Sequence, residues 1–80
     1  MAQELQRVEL DDGELSLLSP REAEVLSMTS RGLTNAQVAE SLRVTVHAVK
    51  FHLASIYRKL GVANRTEAAV WLFEHRQNTP

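Results

Sequence analysis

Apolar and polar residues recur along this chain with helical period in four blocks, separated by short polar stretches that carry stop signals. In the first block, "SPREAEVLSMTS", Val25, Leu26, Met28 and Thr29 gather on one side of a helix. Ser19 precedes it as N-cap and Pro20 occupies the first helical position, where a missing N–H costs nothing. Glu22, three residues after the cap, completes a capping box. "SRGL" stops this helix, with Gly32 as the residue suited to left-handed backbone. The second block, "TNAQVAESL", opens on another capping box, Thr34 with Gln37, and turns Val38, Ala39 and Leu42 to one face over about two turns. Thr45 is the N-cap of a longer third helix, expected from about Val46 to Leu60 and ended by Gly61. Asn64, with Glu67 three residues on, caps a fourth helix, which carries His75 and Arg76 near its end, where positive charge suits the dipole. The pattern predicts an all-α domain of four helices over residues 19–77 with a tail at 78–80.

Residues 1–18 follow a different pattern. "RVELDDGELSLL" alternates apolar and polar positions on both sides of "DDG". It reads either as a flexible leader or as a short hairpin with Gly13 at positive φ, and a lone two-stranded hairpin is marginal in water.

The third helix carries the most information. At about 100° per residue, Val49, Leu53, Ile56 and Leu60 form one stripe, edged by Val46 and Tyr57 on one side and His52 on the other. The opposite face carries His47, Phe51, Ala54 and Arg58, with Lys50 and Lys59 on its flanks. Ala39 is small where the second and third helices must approach, Val44 closes the turn between them and Val49 packs back beneath it. Two helices joined by a tight turn, the second the longer, describe a helix-turn-helix. A solvated amphipathic helix would show the same basic outer face, so the order of four capped helices around it carries the assignment.

Composition narrows the chemistry. Eighty residues make one small domain, and the absence of cysteine excludes a disulfide framework or a thiolate metal site. No apolar run approaches the roughly 20 residues that span a bilayer, and the first residues do not resemble a signal peptide, so a cytoplasmic protein without a membrane partner is expected. The net charge of −1 conceals an asymmetry: residues 1–18 hold one arginine against five carboxylates, and residues 19–80 hold eight Lys/Arg against five. That modest basic excess permits nucleic-acid binding without requiring it, and would let the acidic leader compete with DNA for the helical domain. Catalysis finds no support. His47 and His52 stand five apart, off the spacing of four that would align them on one helical face. Ser16, Ser19 and Ser27 have no His/Asp arrangement, and there is no glycine-rich phosphate loop. No enzyme activity and no cofactor are expected.

The strings "LSPRE", "GLTNAQVAESL", "VHAVKFH" and "KLGVANRTEA" occur in an order and spacing that resembles the LuxR/GerE-type DNA-binding domain, over residues 18 to about 76. The promoter-binding helix-turn-helix of sigma factors shares the "SPRE…EVL" opening, but "KLGVANRTEAA" followed by a further helix is similar to the LuxR type. The resemblance implies transcriptional regulation by double-stranded DNA binding, with the third helix in the major groove and a fourth helix that helps form a homodimer. The chain fits either a free-standing regulator or the output domain of a longer one.

The resemblance also carries roles onto residues. Thr34 and Asn35, at the start of the second helix, and Thr45, at the start of the third, sit where backbone N–H groups and small polar side chains suit phosphate. Lys50 matches the lysine of the family's "TVK" motif; Arg58 and Lys59 flank the groove; His47 faces outward and can donate to phosphate. The departures matter as much. Ala48 replaces the usual threonine, Val46 stands where glutamate is frequent, and Arg43 occupies a turn position often held by glycine, at a cost of about 1 kcal/mol. Phe51 and Ala54 face the bases, and neither can make a bidentate hydrogen bond to guanine or adenine. Phe51 then either contacts a thymine methyl or packs on a partner protein; His52 reads as a histidine packed at the core edge. The fourth helix is apolar on more than one side, with Ala68, Leu72 and Trp71 towards one and Ala69, Phe73 and Arg76 towards another. Ala69, Leu72, Phe73 and Arg76 are the expected dimer surface. A reading of another class makes the same fold a protein-interaction module that binds another regulator or RNA polymerase.

Overall fold

The computed structural model describes residues 17–75, and within them the predicted helices form in the predicted order: α1 (Pro20–Ser30), α2 (Asn35–Leu42), α3 (Val46–Leu60) and α4 (Arg65–His75). The fold is all-α among the described residues. The expected leader or hairpin falls almost wholly outside them, as do Arg76 and the tail.

Each helix starts on a side-chain cap. In α1 the Ser19 Oγ accepts the Glu22 N–H at 3.1 Å while the Ser19 N–H donates to Glu22 Oε1 at 2.9 Å. Thr34 and Gln37 make the same reciprocal pair at the start of α2. Thr45 Oγ1 accepts the Ala48 N–H at 3.0 Å, and Asn64 Oδ1 accepts the Glu67 N–H at 2.9 Å. Each cap satisfies donors that the helix itself leaves open.

Three helices end by one device. A residue with positive φ (Gly32 at 99°, Arg43 at 60°, Gly61 at 72°) turns the chain. The next N–H then reaches back five residues: Leu33 to the Met28 carbonyl, Val44 to Ala39, Val62 to Tyr57. In all three the residue after the turn is apolar and packs against the core, as a Schellman closure favours. Arg43 thus takes the left-handed conformation expected of it, at φ 60° and ψ 45°.

The core lies where α1 packs on α4 and on α3, and α2 packs on α3. Val25, Val38, Val49 and Ile56 are wholly buried and Leu26 is nearly so. Ala39 is buried between α2 and α3, as its small size implies. Two placements differ from the sequence expectation. Leu18, assigned to the leader, is buried in the core, so packing begins one residue earlier. Leu72, expected at a dimer surface, is only 5% exposed and fills the core beside Ala68. Since α4 is apolar on several sides, its period could not choose the inward one, and contact with α1 does. Among the described residues no helix is long and apolar enough to cross a membrane.

Candidate nucleic-acid interface

The three residues Arg43, Val44 and Thr45 join α2 to α3, and this turn sets the pair at a fixed angle. Val49, Leu53 and Ile56 then bury one side of α3, which leaves His47, Lys50, Phe51, Ala54 and Arg58 exposed on the other. Phe51 is 70% exposed, an unusual position for a phenylalanine, and its ring meets His52 edge-on at 6.1 Å. His52 itself is half-buried at the core edge. Val46, at the first position of α3, is also exposed. The outer face of α3 therefore mixes cations with apolar side chains and carries no carboxylate.

Unlike Lys50, Lys59 has a carboxylate partner among the described residues. Its ammonium donates to Glu22 Oε1 at 2.8 Å, while Ser55 Oγ donates to Glu22 Oε2 at 2.7 Å. Glu22 Oε1 also takes the Ser19 N–H of the capping box. One buried carboxylate thus caps α1 and ties two residues of α3, four apart on one edge, to the core. Burial alone would raise the pKa of Glu22. The hydrogen bonds from Lys59, the Ser19 N–H and Ser55, with the charge of Lys59, outweigh it and lower the pKa from 4.5 to about 2. In the sequence, Glu22 stands out only as half of a capping box. A signal was available: Glu22 shares a helical face with Val25, Leu26 and Thr29, and a carboxylate on an apolar stripe requires a partner.

At the start of α2, Thr34 is exposed and Asn35 half-buried. The Asn35 Oδ1 accepts from Arg65 Nη2 at 2.6 Å, and Arg65 Nη1 donates to the Leu33 carbonyl at 2.7 Å. No local sequence pattern marks Arg65, because its partners lie about thirty residues away. Thr45 keeps its hydroxyl hydrogen available, since Oγ1 serves the cap as acceptor. On α4, Phe73 is 76% and Val70 50% exposed, with Ala69 half-buried between them and the core. Val70 was not singled out in the sequence. Among the described residues no group of three or more His, Cys, Asp or Glu is placed to hold a metal ion.

Residues 16–72 match the GerE family, described as bacterial regulatory proteins of the luxR family. The Escherichia coli (strain K12) protein YhjB is 42% identical over 64 residues, 80% of this chain and 32% of that one. The response regulator protein VraR of Staphylococcus saprophyticus is 36% identical over 70 residues, 88% of this chain and 32% of VraR. The chain thus spans about a third of the length of these curated relatives. Among solved structures, the DNA-binding domain of the response regulator ComA, in complex with the anti-activator RapF, superposes with a TM-score of 0.68 at 36% identity. That match covers 70% of this chain and 97% of the ComA domain. A family match over most of the helical domain, with the same fold in a solved relative, shows that the chain belongs to the luxR family of bacterial regulatory proteins and is a helix-turn-helix DNA-binding domain of transcriptional regulators.

Proposed function

We propose that this domain regulates transcription in the cytoplasm by laying α3 in the major groove of double-stranded DNA, with the starts of α2 and α3 on the flanking phosphates. The observation that carries this reading is the outer face of α3, where His47, Lys50, Phe51, Ala54 and Arg58 are all exposed while the inner face is locked in the core. Thr34, Asn35 and Thr45 supply donors at helix starts, where the dipole favours an anion. Lys50 and Arg58 bring charge to the groove. Lys59 contributes less, because Glu22 already holds it. Phe51 and Ala54 offer thymine methyl groups an apolar surface.

One such module contacts only roughly 600–1,000 Å² of DNA, so a second copy would raise affinity and read a second half-site. Ala69 and Phe73, with Val70, form the proposed homodimer surface on α4. Titration of labelled random duplex DNA at two salt concentrations tests the reading. Binding should weaken steeply with salt, and Lys50→Ala should weaken it further and lower the salt slope by about one. Salt-insensitive binding that Lys50→Ala leaves unchanged would refute it.

A second reading has its own support. Phe51 is an exposed aromatic residue on the helix that should read bases, and the ComA domain was crystallised with a protein, RapF. On this reading the outer face of α3 docks another regulator or RNA polymerase instead of DNA.

A further inference from the structure

The start of α2 is organised by a residue from the start of α4. Arg65 is half-buried, and its guanidinium spans two oxygens, the Leu33 carbonyl at 2.7 Å and Asn35 Oδ1 at 2.6 Å. Arginine has only donors, so the Asn35 atom facing it must be the amide oxygen. Chemistry therefore decides the orientation of this amide, which geometry alone leaves open. With Oδ1 taken, the Asn35 NH₂ group is the polar end turned away from the guanidinium. The capping box uses the N–H groups of Thr34 and Gln37, and no carboxylate stands in the first turn of α2. The N–H groups of Asn35 and Ala36 have no carbonyl within their own helix to reach. The full charge of Arg65 adds to the positive end of the helix dipole. Arg65 has no carboxylate partner among the described residues, and a cation so placed beside a helix N-terminus is unfavourable in the free protein and becomes favourable once an anion arrives.

We infer that Arg65 is a positioning residue for DNA binding: anchored on the Leu33 carbonyl, it holds Asn35 Oδ1 and so fixes the Asn35 NH₂ as a donor to a backbone phosphate. This rests on the proposal that the start of α2 meets DNA. Arg65 acts through Asn35, and its role differs from that of a cation that merely neutralises phosphate.

Asn35→Asp separates the roles. The carboxylate keeps the bond to Arg65 as an ion pair and suits the helix N-terminus, so the fold should be as stable as wild type or more so. Yet it replaces a donor by an acceptor in front of phosphate. The full chain is titrated with random duplex DNA over a range of salt, alongside thermal unfolding. Asn35→Asp should weaken DNA binding about tenfold and lower the salt slope by about one, with an unfolding midpoint at or above wild type. Arg65→Lys keeps the charge but loses the two-pronged anchor. It should weaken DNA binding in the wild-type chain and have little further effect in Asn35→Ala. The side-chain amide resonances of Asn35 should also shift on adding DNA in the wild type and not in Arg65→Lys. Wild-type affinity in Asn35→Asp, or an equal loss from Arg65→Lys in both backgrounds, would overturn the inference. Lys50→Ala is the control. If it weakens binding while the Asn35 and Arg65 variants do not, the positioning role fails and the proposed function stands. If none of the three matters, the proposed function fails as well.

Discussion

Acid should release α3 from α1 through one carboxylate, Glu22. Burial works against its charge, and the hydrogen bonds from Lys59, the Ser19 N–H and Ser55 more than offset that, bringing its pKa from 4.5 to about 2. A displacement of this size is worth at most about 3–4 kcal/mol at 1.36 kcal/mol per pKa unit. The Lys59 side chain is 39% exposed, so water and salt screen its share, and about 2–3 kcal/mol is the better figure. The folded pKa is depressed, so the stabilisation is complete above the unfolded value of 4.5 and is lost as pH falls from there towards about 2. Glu22→Gln provides the comparison, since glutamine can still complete the capping box but cannot titrate. Urea unfolding followed by circular dichroism should find Glu22→Gln less stable by about 2–3 kcal/mol near neutral pH. The gap should largely close as pH falls to about 2, where Glu22 is half protonated in the folded wild type. The other carboxylates titrate in both proteins and cancel from the difference. A gap that stays constant over this range, or no gap near neutrality, would refute the assignment of the clamp to the charge on Glu22.

Arg43→Gly relieves a non-glycine residue at φ 60°. The extra freedom of the unfolded chain offsets part of the gain, so urea unfolding should show about 0.5–1 kcal/mol of added stability. Phe73→Asp and Val70→Asp place charges on the exposed face of α4. Sedimentation of the DNA complex should show two copies bound for the wild type and one for each variant, with the unfolding midpoint unchanged. Deoxyuridine in place of thymine, in duplexes selected from a random pool, removes the methyl group proposed for Phe51. Affinity should fall several-fold in the wild type and not in Phe51→Ala, and equal losses in both would exclude the contact.

What could be read from the sequence was local. Ser19, Thr34 and Thr45 act on the residue three positions on, and Gly32, Arg43 and Gly61 act on the turn they occupy, so both signals lie within a few letters. The inner stripe of α3 was equally legible, because Val49, Leu53 and Ile56 repeat with a period that only one face can satisfy. Leu72 was not, because Ala68, Ala69, Val70, Trp71, Leu72 and Phe73 leave α4 no polar side to mark as outward. The partners of Glu22 and Arg65 were illegible for another reason. They are separated by thirty or more residues, and nothing short of the packed helices brings them together. Of the candidate site, the outer face of α3 followed from helical period, whereas the engagement of Lys59 and the bracing of Asn35 followed only from the fold.

The Glu22 clamp bears on DNA reading as well as on stability. Hydrophobic contact is non-directional, so Val49, Leu53 and Ile56 keep α3 on the core but tolerate a small roll about its axis. Ser55 and Lys59, bonded to one carboxylate along one edge, resist that roll with directional bonds. A side-chain tip stands about 5–6 Å from the helix axis, so a roll of about 20° moves it by about 2 Å. Recognition tolerates only about 0.5 Å. Glu22→Gln, compared with wild type at a temperature where both are folded, should therefore lose discrimination between a selected duplex and a random one. The same change frees Lys59 for phosphate, so binding to random DNA should hold or strengthen, with a salt slope steeper by about one. Specificity and nonspecific affinity should thus move in opposite directions, a result that general destabilisation would not give. An unchanged ratio of selected to random affinity would show that the buried stripe alone fixes the roll of α3.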